Sequence, residues 1–222
     1  MTKKLRLLLF AVCCISAMSL TSCLDNDDNS IDSATYKKYL TAMQGTYYGK
    51  IRFFKESSKA NSTAPEKYDS ITGTNWTMGT DSAITINEGI VSYLDSAISS
   101  KDDTPEELKQ LQKAISDYTD EGGHQLLYFI PNSGFVNNTQ ISFLANPITI
   151  KVKLNYGEKD HDVYFMFYSN TYGGTWNNNG SVIFNMCLGG IYVDGTDKYN
   201  SIDVDDRGYF KPILIQCEGS KF

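Results

Sequence analysis

One stretch of this chain restricts its fold more than any other. Ile148, Ile150, Val152 and Leu154 alternate with Thr149, Lys151 and Lys153. A period of two sends apolar side chains to one face and polar ones to the other, which is the signature of a half-buried β-strand. The next run repeats it: between His161 and Ser169, Val163, Phe165 and Phe167 stand against Tyr164, Met166 and Tyr168. Asn155–Asp160 supplies turn residues between the two runs, so the pair predicts a β-hairpin.

Other short β-branched and aromatic runs surround this hairpin. Gly45–Phe54 predicts the first strand of the domain, residues 55–69 with Pro65 a loop, and 71–78 and 81–87 two further strands. More strands are expected at 181–188, 190–194 and 212–217, with Pro212 tolerated at a strand start. The period changes only in places. Ala34–Met43 places Tyr36, Tyr39, Leu40 and Met43 on one helical stripe. Ile90, Leu94 and Ile98 recur every four residues. Thr104-Pro105-Glu106-Glu107 then reads as an N-cap, a proline at the first helical position and a glutamate closing a capping box. The stripe Leu108, Leu111, Ile115 and Tyr118 continues that helix, and Gly122-Gly123 stop it. The expected class is therefore mainly β (α+β): an antiparallel β-sandwich or barrel with a two-helix insertion around 90–120.

The N-terminus carries an address. Lys3, Lys4 and Arg6 precede an apolar run from Leu7 to Leu20, which is signal-peptide length and too short for the roughly 20 residues of a spanning helix. Leu20-Thr21-Ser22-Cys23 resembles the lipobox of bacterial lipoproteins, in which the cysteine is acylated before cleavage. The resemblance implies a signal peptide over 1–22, lipid attachment at Cys23 and an acidic tether over 23–35. Leu24-Asp25-Asn26-Asp27-Asp28-Asn29 within that tether resembles the export tag of Bacteroides surface lipoproteins, which implies the outer membrane and its exposed face. A single mostly-β domain is expected over 36–222.

Charge and cysteine usage fit that address. The full chain carries −6, and without Lys3, Lys4 and Arg6 the mature chain holds 17 basic residues against 26 acidic ones. Such a surface repels phosphate backbones, so nucleic acid is not an expected partner. Cys187 and Cys217 are the two thiols left after the signal and the lipid claim the others. In an oxidising compartment they form a candidate disulfide, with two buried free thiols as the alternative.

The order Gly45-Thr46-Tyr47-Tyr48-Gly49-Lys50, Trp76, Asp81–Ile86, helices, then Tyr156-Gly157 and His161-Asp162-Val163 is similar to a family of uncharacterised Bacteroides lipoproteins classed as a domain of unknown function. The likeness covers most of residues 40–195. It implies fold class and origin, and no catalytic residue or cofactor.

The residues themselves offer little catalytic chemistry. His124 and His161 are the only histidines, no Gly-x-Ser-x-Gly elbow is present, and two isolated histidines do not make a zinc site. Asp203–Gly208 has alternating acids, but Arg207 falls where a calcium ligand is needed, so it reads as an acidic turn. No metal or cofactor is expected. Ligand contact is assigned to Tyr172 and Trp176, two amphipathic rings on the segment Asn170–Gly180, whose three glycines and four asparagines read as a loop. The competing expectation is that both rings plug the core. Asp-Ser steps followed by small or apolar residues make Ser33, Ser70, Ser82 and Ser96 candidate O-glycosylation sites, because they match the acceptor pattern of Bacteroides exported proteins. The leading functional reading is a non-catalytic surface domain that binds an extracellular glycan or an outer-membrane protein. The alternatives are a lipocalin-like carrier of a small apolar ligand and, third, a glycan-degrading enzyme.

Overall fold

The computed structural model describes residues 31–55, 66–99, 101–131, 139–195, 201–203 and 209–221. The signal peptide, Cys23 and most of the tether lie outside them, as do most of the 55–69 loop and residues 204–208 of the acidic turn.

Helix α1 (Ser33–Met43) opens the domain, capped by Asp32, whose carboxylate accepts the Thr35 N–H at 2.9 Å. It begins at Ser33, one residue before the expected start at Ala34 and inside the stretch assigned to the tether. Strands β1 (Gly45–Lys55), β2 (Glu66–Met78) and β3 (Ala83–Ile86) follow, then a 3-10 helix (Val91–Ala97) and helix α2 (Glu106–Ser116). The remaining strands are β4 (His124–Phe129), β5 (Gln140–Pro147), β6 (Ile150–Tyr156), β7 (Lys159–Phe167), β8 (Gly173–Asn177), β9 (Ser181–Val193), β10 (Ser201–Asp203) and β11 (Ile213–Ser220).

Eight of these strands close a barrel in the order β11-β1-β2-β3-β4-β5-β8-β9, with β9 pairing back onto β11. All the pairings are antiparallel. Of the two architectures the alternation allows, the chain therefore builds the barrel. Closure depends on β9, one strand where two were expected. Its first half, Ser181–Leu188, seals the barrel against β8 and β11. Its second half runs out of the barrel and pairs with β7 and β10, so β6, β7, β9 and β10 form a sheet extension.

The lumen is filled by side chains, as eight strands allow. Trp76 on β2 meets Phe184 on β9 edge-on, with centroids 5.7 Å apart. Phe184 reaches Phe143 on β5 at 6.3 Å, and Phe143 reaches Tyr128 on β4 at 5.4 Å. This chain of buried rings crosses the interior from wall to wall.

Both expected helices in the insertion depart from their sequence readings. Val91, Leu94 and Ala97 are the buried residues of the first, a spacing of three that matches 3-10 rather than α geometry. Ile98, the third member of the expected stripe, leaves the helix and bridges Phe210. In α2 the stripe holds, with Leu111 and Ile115 buried and Leu108 and Tyr118 packed beside them. Its capping box does not form. Thr104 is buried and donates its hydroxyl to the Ser99 carbonyl (2.9 Å), leaving Pro105 as the cap without a side-chain bond. The hairpin turn is tighter than the sequence suggested: Gly157 and Glu158 alone make it, both at positive φ. Ile148 falls outside β6 and is 47% exposed.

Candidate binding trough

After α2 the chain turns through Tyr118–Gly123 into β4, and that turn faces the start of β6. Between them lies an open trough of about 480 Å³, walled by Tyr118–Gln125 on one side and Ile148–Val152 on the other. The Ile148 N–H donates to the Gln125 carbonyl (3.1 Å) and ties the walls together.

The turn is rigid for a backbone reason. Gly122 has φ +77°, and a Cβ there would sit 2.2 Å from the Asn87 carbonyl oxygen. Only glycine allows so close an approach. Asp120 then organises the loop. Its Oδ2 accepts the N–H groups of Ile90 (2.8 Å) and Val91 (3.0 Å), which open the 3-10 helix, and lies 2.7 Å from His124 Nε2. Its Oδ1 accepts the Gly122 N–H at 3.0 Å. Burial works to raise the Asp120 carboxyl. The His124 hydrogen bond and the Val91 and Gly122 amides outweigh it, and hold the group down at about 2.

The trough thus contains an acid–histidine pair that the sequence did not single out as a pair. Chemically, this carboxylate is engaged by four partners, all of which pin the loop. Among the described residues, the hydrogen bond of His124 is to Asp120 and none is to a hydroxyl. The other histidine is also structural. His161 is 3% exposed on β7, its ring stacks on Tyr156 at 4.0 Å, and its Nδ1 lies 2.9 Å from Asp194. No group of three or more His, Cys, Asp or Glu side chains is placed to hold a metal among the described residues.

The residues assigned to ligand contact lie elsewhere and do not form an exposed platform. Trp176 sits in β8, 8% exposed, cross-strand from Ile141 and Val182 on the lumen side. The loop reading of 170–180 fails over Gly173–Asn177, because two of its three glycines serve strand packing. A Cβ on Gly173 would come within 2.0 Å of the Phe143 carbonyl oxygen, and one on Gly174 within 2.3 Å of that of Ile183. Tyr172 is half-buried just before β8, its hydroxyl against Cys187.

The candidate disulfide is also overturned. Cys187 and Cys217 are free, and strand register explains why. Cys217 pairs with Phe184 and points into the core, whereas Cys187 pairs with Leu214 on the outer face of the wall, three positions away.

Of the four serines, Ser33 is exposed in the first turn of α1. Ser70 lies in β2 and Ser96 in the 3-10 helix, both half-buried. Ser82 holds φ +61°, and its carbonyl accepts the Tyr128 N–H. Cys23 lies outside the described residues.

The architecture defines a small closed β-barrel with a sheet extension and an external trough. The chain belongs to the family described as a domain of unknown function, DUF4840, whose model matches residues 42–193. That stretch holds both walls of the trough and stops before β11, the strand that completes the barrel. No curated protein matches the chain, and no solved structure does.

Proposed function

We propose that this protein is a lipid-anchored surface lipoprotein whose barrel domain binds an extracellular glycan or protein partner without catalysing a reaction. The observation that carries the binding reading is the trough: an open recess whose acid is already engaged by four structural hydrogen-bond partners, His124 among them. A general base needs a lone pair available to a substrate proton, and three structural partners already crowd Asp120 Oδ2 while the Gly122 N–H holds Oδ1. The carrier alternative is less well supported, because a lipocalin-like site needs a hollow lumen and rings from β2, β9, β5 and β4 occupy this one. A ligand then has to bind on the outside.

Anchorage rests on the Leu20–Cys23 box and the apolar run before it. Each buried methylene contributes about 0.8 kcal/mol, so several acyl chains hold a protein to a membrane almost irreversibly. Labelled palmitate should enter the wild type and not Cys23→Ala, and the variant should leave the membrane fraction. Glycan arrays and pull-downs with purified full-length protein test the binding reading. Turnover of a glycan in the same assays would replace it with the enzyme.

A further inference from the structure

Strand β6 ends the sheet extension. Among the described residues it pairs with β7 on one side and with no strand on the other. The two-residue turn at Gly157 and Glu158 makes Tyr156 and Lys159 a hydrogen-bonded pair. Counting back by twos, Leu154, Val152 and Ile150 also direct their backbone groups at β7. Lys151, Lys153 and Asn155 therefore aim their N–H and C=O groups at the free edge. The partner strand agrees: Asp162, opposite Lys153, turns its carbonyl away from β6 to accept the Asp194 N–H at 2.8 Å.

The trough opens onto this edge. It is lined by the consecutive residues Ile150, Lys151 and Val152, which alternate between the two faces of β6, as a recess beside a strand is. We infer that β6 is a docking edge for an extended acidic segment of a partner protein, which adds a strand beside it. This rests on the binding reading above and names the partner's chemistry.

Charge and burial select the occupant. Lys151 and Lys153 are exposed on the outer face of β6, in a chain of net charge −6. Lys151 is paired with Asp162 at 2.8 Å, while Lys153 has no carboxylate partner among the described residues. Side chains of an added strand on that face stand next to these lysines, where acids stabilise and bases repel. Its alternate side chains fall on the face of Ile150, Val152 and Leu154, beside α2, and favour apolar residues. A second copy of this chain is disfavoured, because antiparallel pairing of β6 with itself about Lys153 sets lysine against lysine.

The test uses purified full-length protein and two fluorescent heptapeptides, one alternating glutamate with valine and the other lysine with valine. The glutamate peptide should bind saturably, raise anisotropy and slow hydrogen exchange at the Lys151, Lys153 and Asn155 amides. Lys153→Pro deletes one edge N–H and no bond to β7, so it should weaken the peptide at least about tenfold with an unchanged circular dichroism spectrum. Lys153→Glu should reverse the preference toward the lysine peptide, and it decides the matter alone if the proline variant does not fold. The inference is overturned by no binding up to about 1 mM or by binding that leaves those three amides unprotected. It is equally overturned by their protection in concentrated protein without peptide, which would mean self-association. A glycan or protein recovered by the screens and unaffected by Lys153→Glu would leave the binding reading standing and remove only the docking edge.

Discussion

Lys221, at the end of the described chain, donates from its ammonium to the carbonyl of Ala42 at 2.5 Å, across 179 positions of sequence. The same ammonium reaches the Gln44 carbonyl (3.1 Å) and lies 5.9 Å from the Tyr47 ring centroid and 5.6 Å from that of Trp176. A cation at the C-terminal end of α1 meets the negative end of the helix dipole and its unpaired carbonyls. The lysine after β11 thus holds α1 onto the barrel. If Cys23 carries lipid, this contact joins the anchored end of the chain to the closing strand.

Replacing Lys221 with methionine keeps the stem and removes the charge. Two charge-assisted bonds and two ring contacts disappear, but the group is partly solvated. A loss of about 1–2 kcal/mol is expected. Urea denaturation measures it, and proteolysis of the variant should begin at α1. A midpoint equal to wild type would show that the clamp contributes nothing.

Asp120 makes stability sensitive to acid. Its folded-state value of about 2 lies below the ordinary 3.8, so the unfolded chain takes up a proton first as pH falls. The stabilisation is complete above the unfolded value and is lost as pH drops through 3.8 toward the folded value. The shift corresponds to roughly 2 kcal/mol. Wild-type melting temperature should therefore fall between pH 4 and pH 2 more steeply than that of Asp120→Asn. Equal slopes would mean that the carboxylate is not held by His124 and the amides.

Trp176 now carries a stability prediction in place of a binding one. Removing a buried tryptophan costs roughly 3–5 kcal/mol, out of the 5–15 kcal/mol typical of a domain. Trp176→Ala should unfold at much lower denaturant than wild type, and Tyr48→Ala, 50% exposed on β1, should not. A Trp176→Ala protein of normal stability would contradict its position in the wall.

What the sequence disclosed and what it hid follow one physical line. The β6–β7 hairpin and the α2 stripe were legible because each is a local period acting over one element, which no distant contact overrides. The 170–180 segment misled because glycine has two uses. It loosens a turn, but it also lets backbones close on one another, and Phe143 and Ile183 lie about thirty and ten positions away along the chain. The insertion misread for the same reason. Thr104 had a helix to cap, yet the Ser99 carbonyl offered a buried partner, and Asp120 from the far side of α2 supplied the acceptor for the 3-10 helix. The trough joins residues 118–125 to 148–152, a pairing that no local pattern announces. Its histidine was visible and its acid was one of 26.

The two thiols yield the last prediction. Both are free and buried, but they sit on opposite sides of one wall. Cys217 is 0% exposed in the core, and burial alone pushes its thiol far above the usual range. Cys187 is 4% exposed on the outer face beside Tyr172, with its thiol raised first by burial. Alkylation requires the thiolate and an open path. For Cys187 that path needs only the 168–172 segment to move, which is a local opening. For Cys217 the barrel itself has to open. Local and global openings differ in free energy, and their labelling rates differ accordingly. Under native conditions Cys187 should therefore label first, at a rate insensitive to low denaturant, while Cys217 labels at the rate of global unfolding. In denaturant without reductant, intact mass should show both thiols modified. A protein that gains no label there contains a bridge, and the register of β9 against β11 would have to differ from the one described.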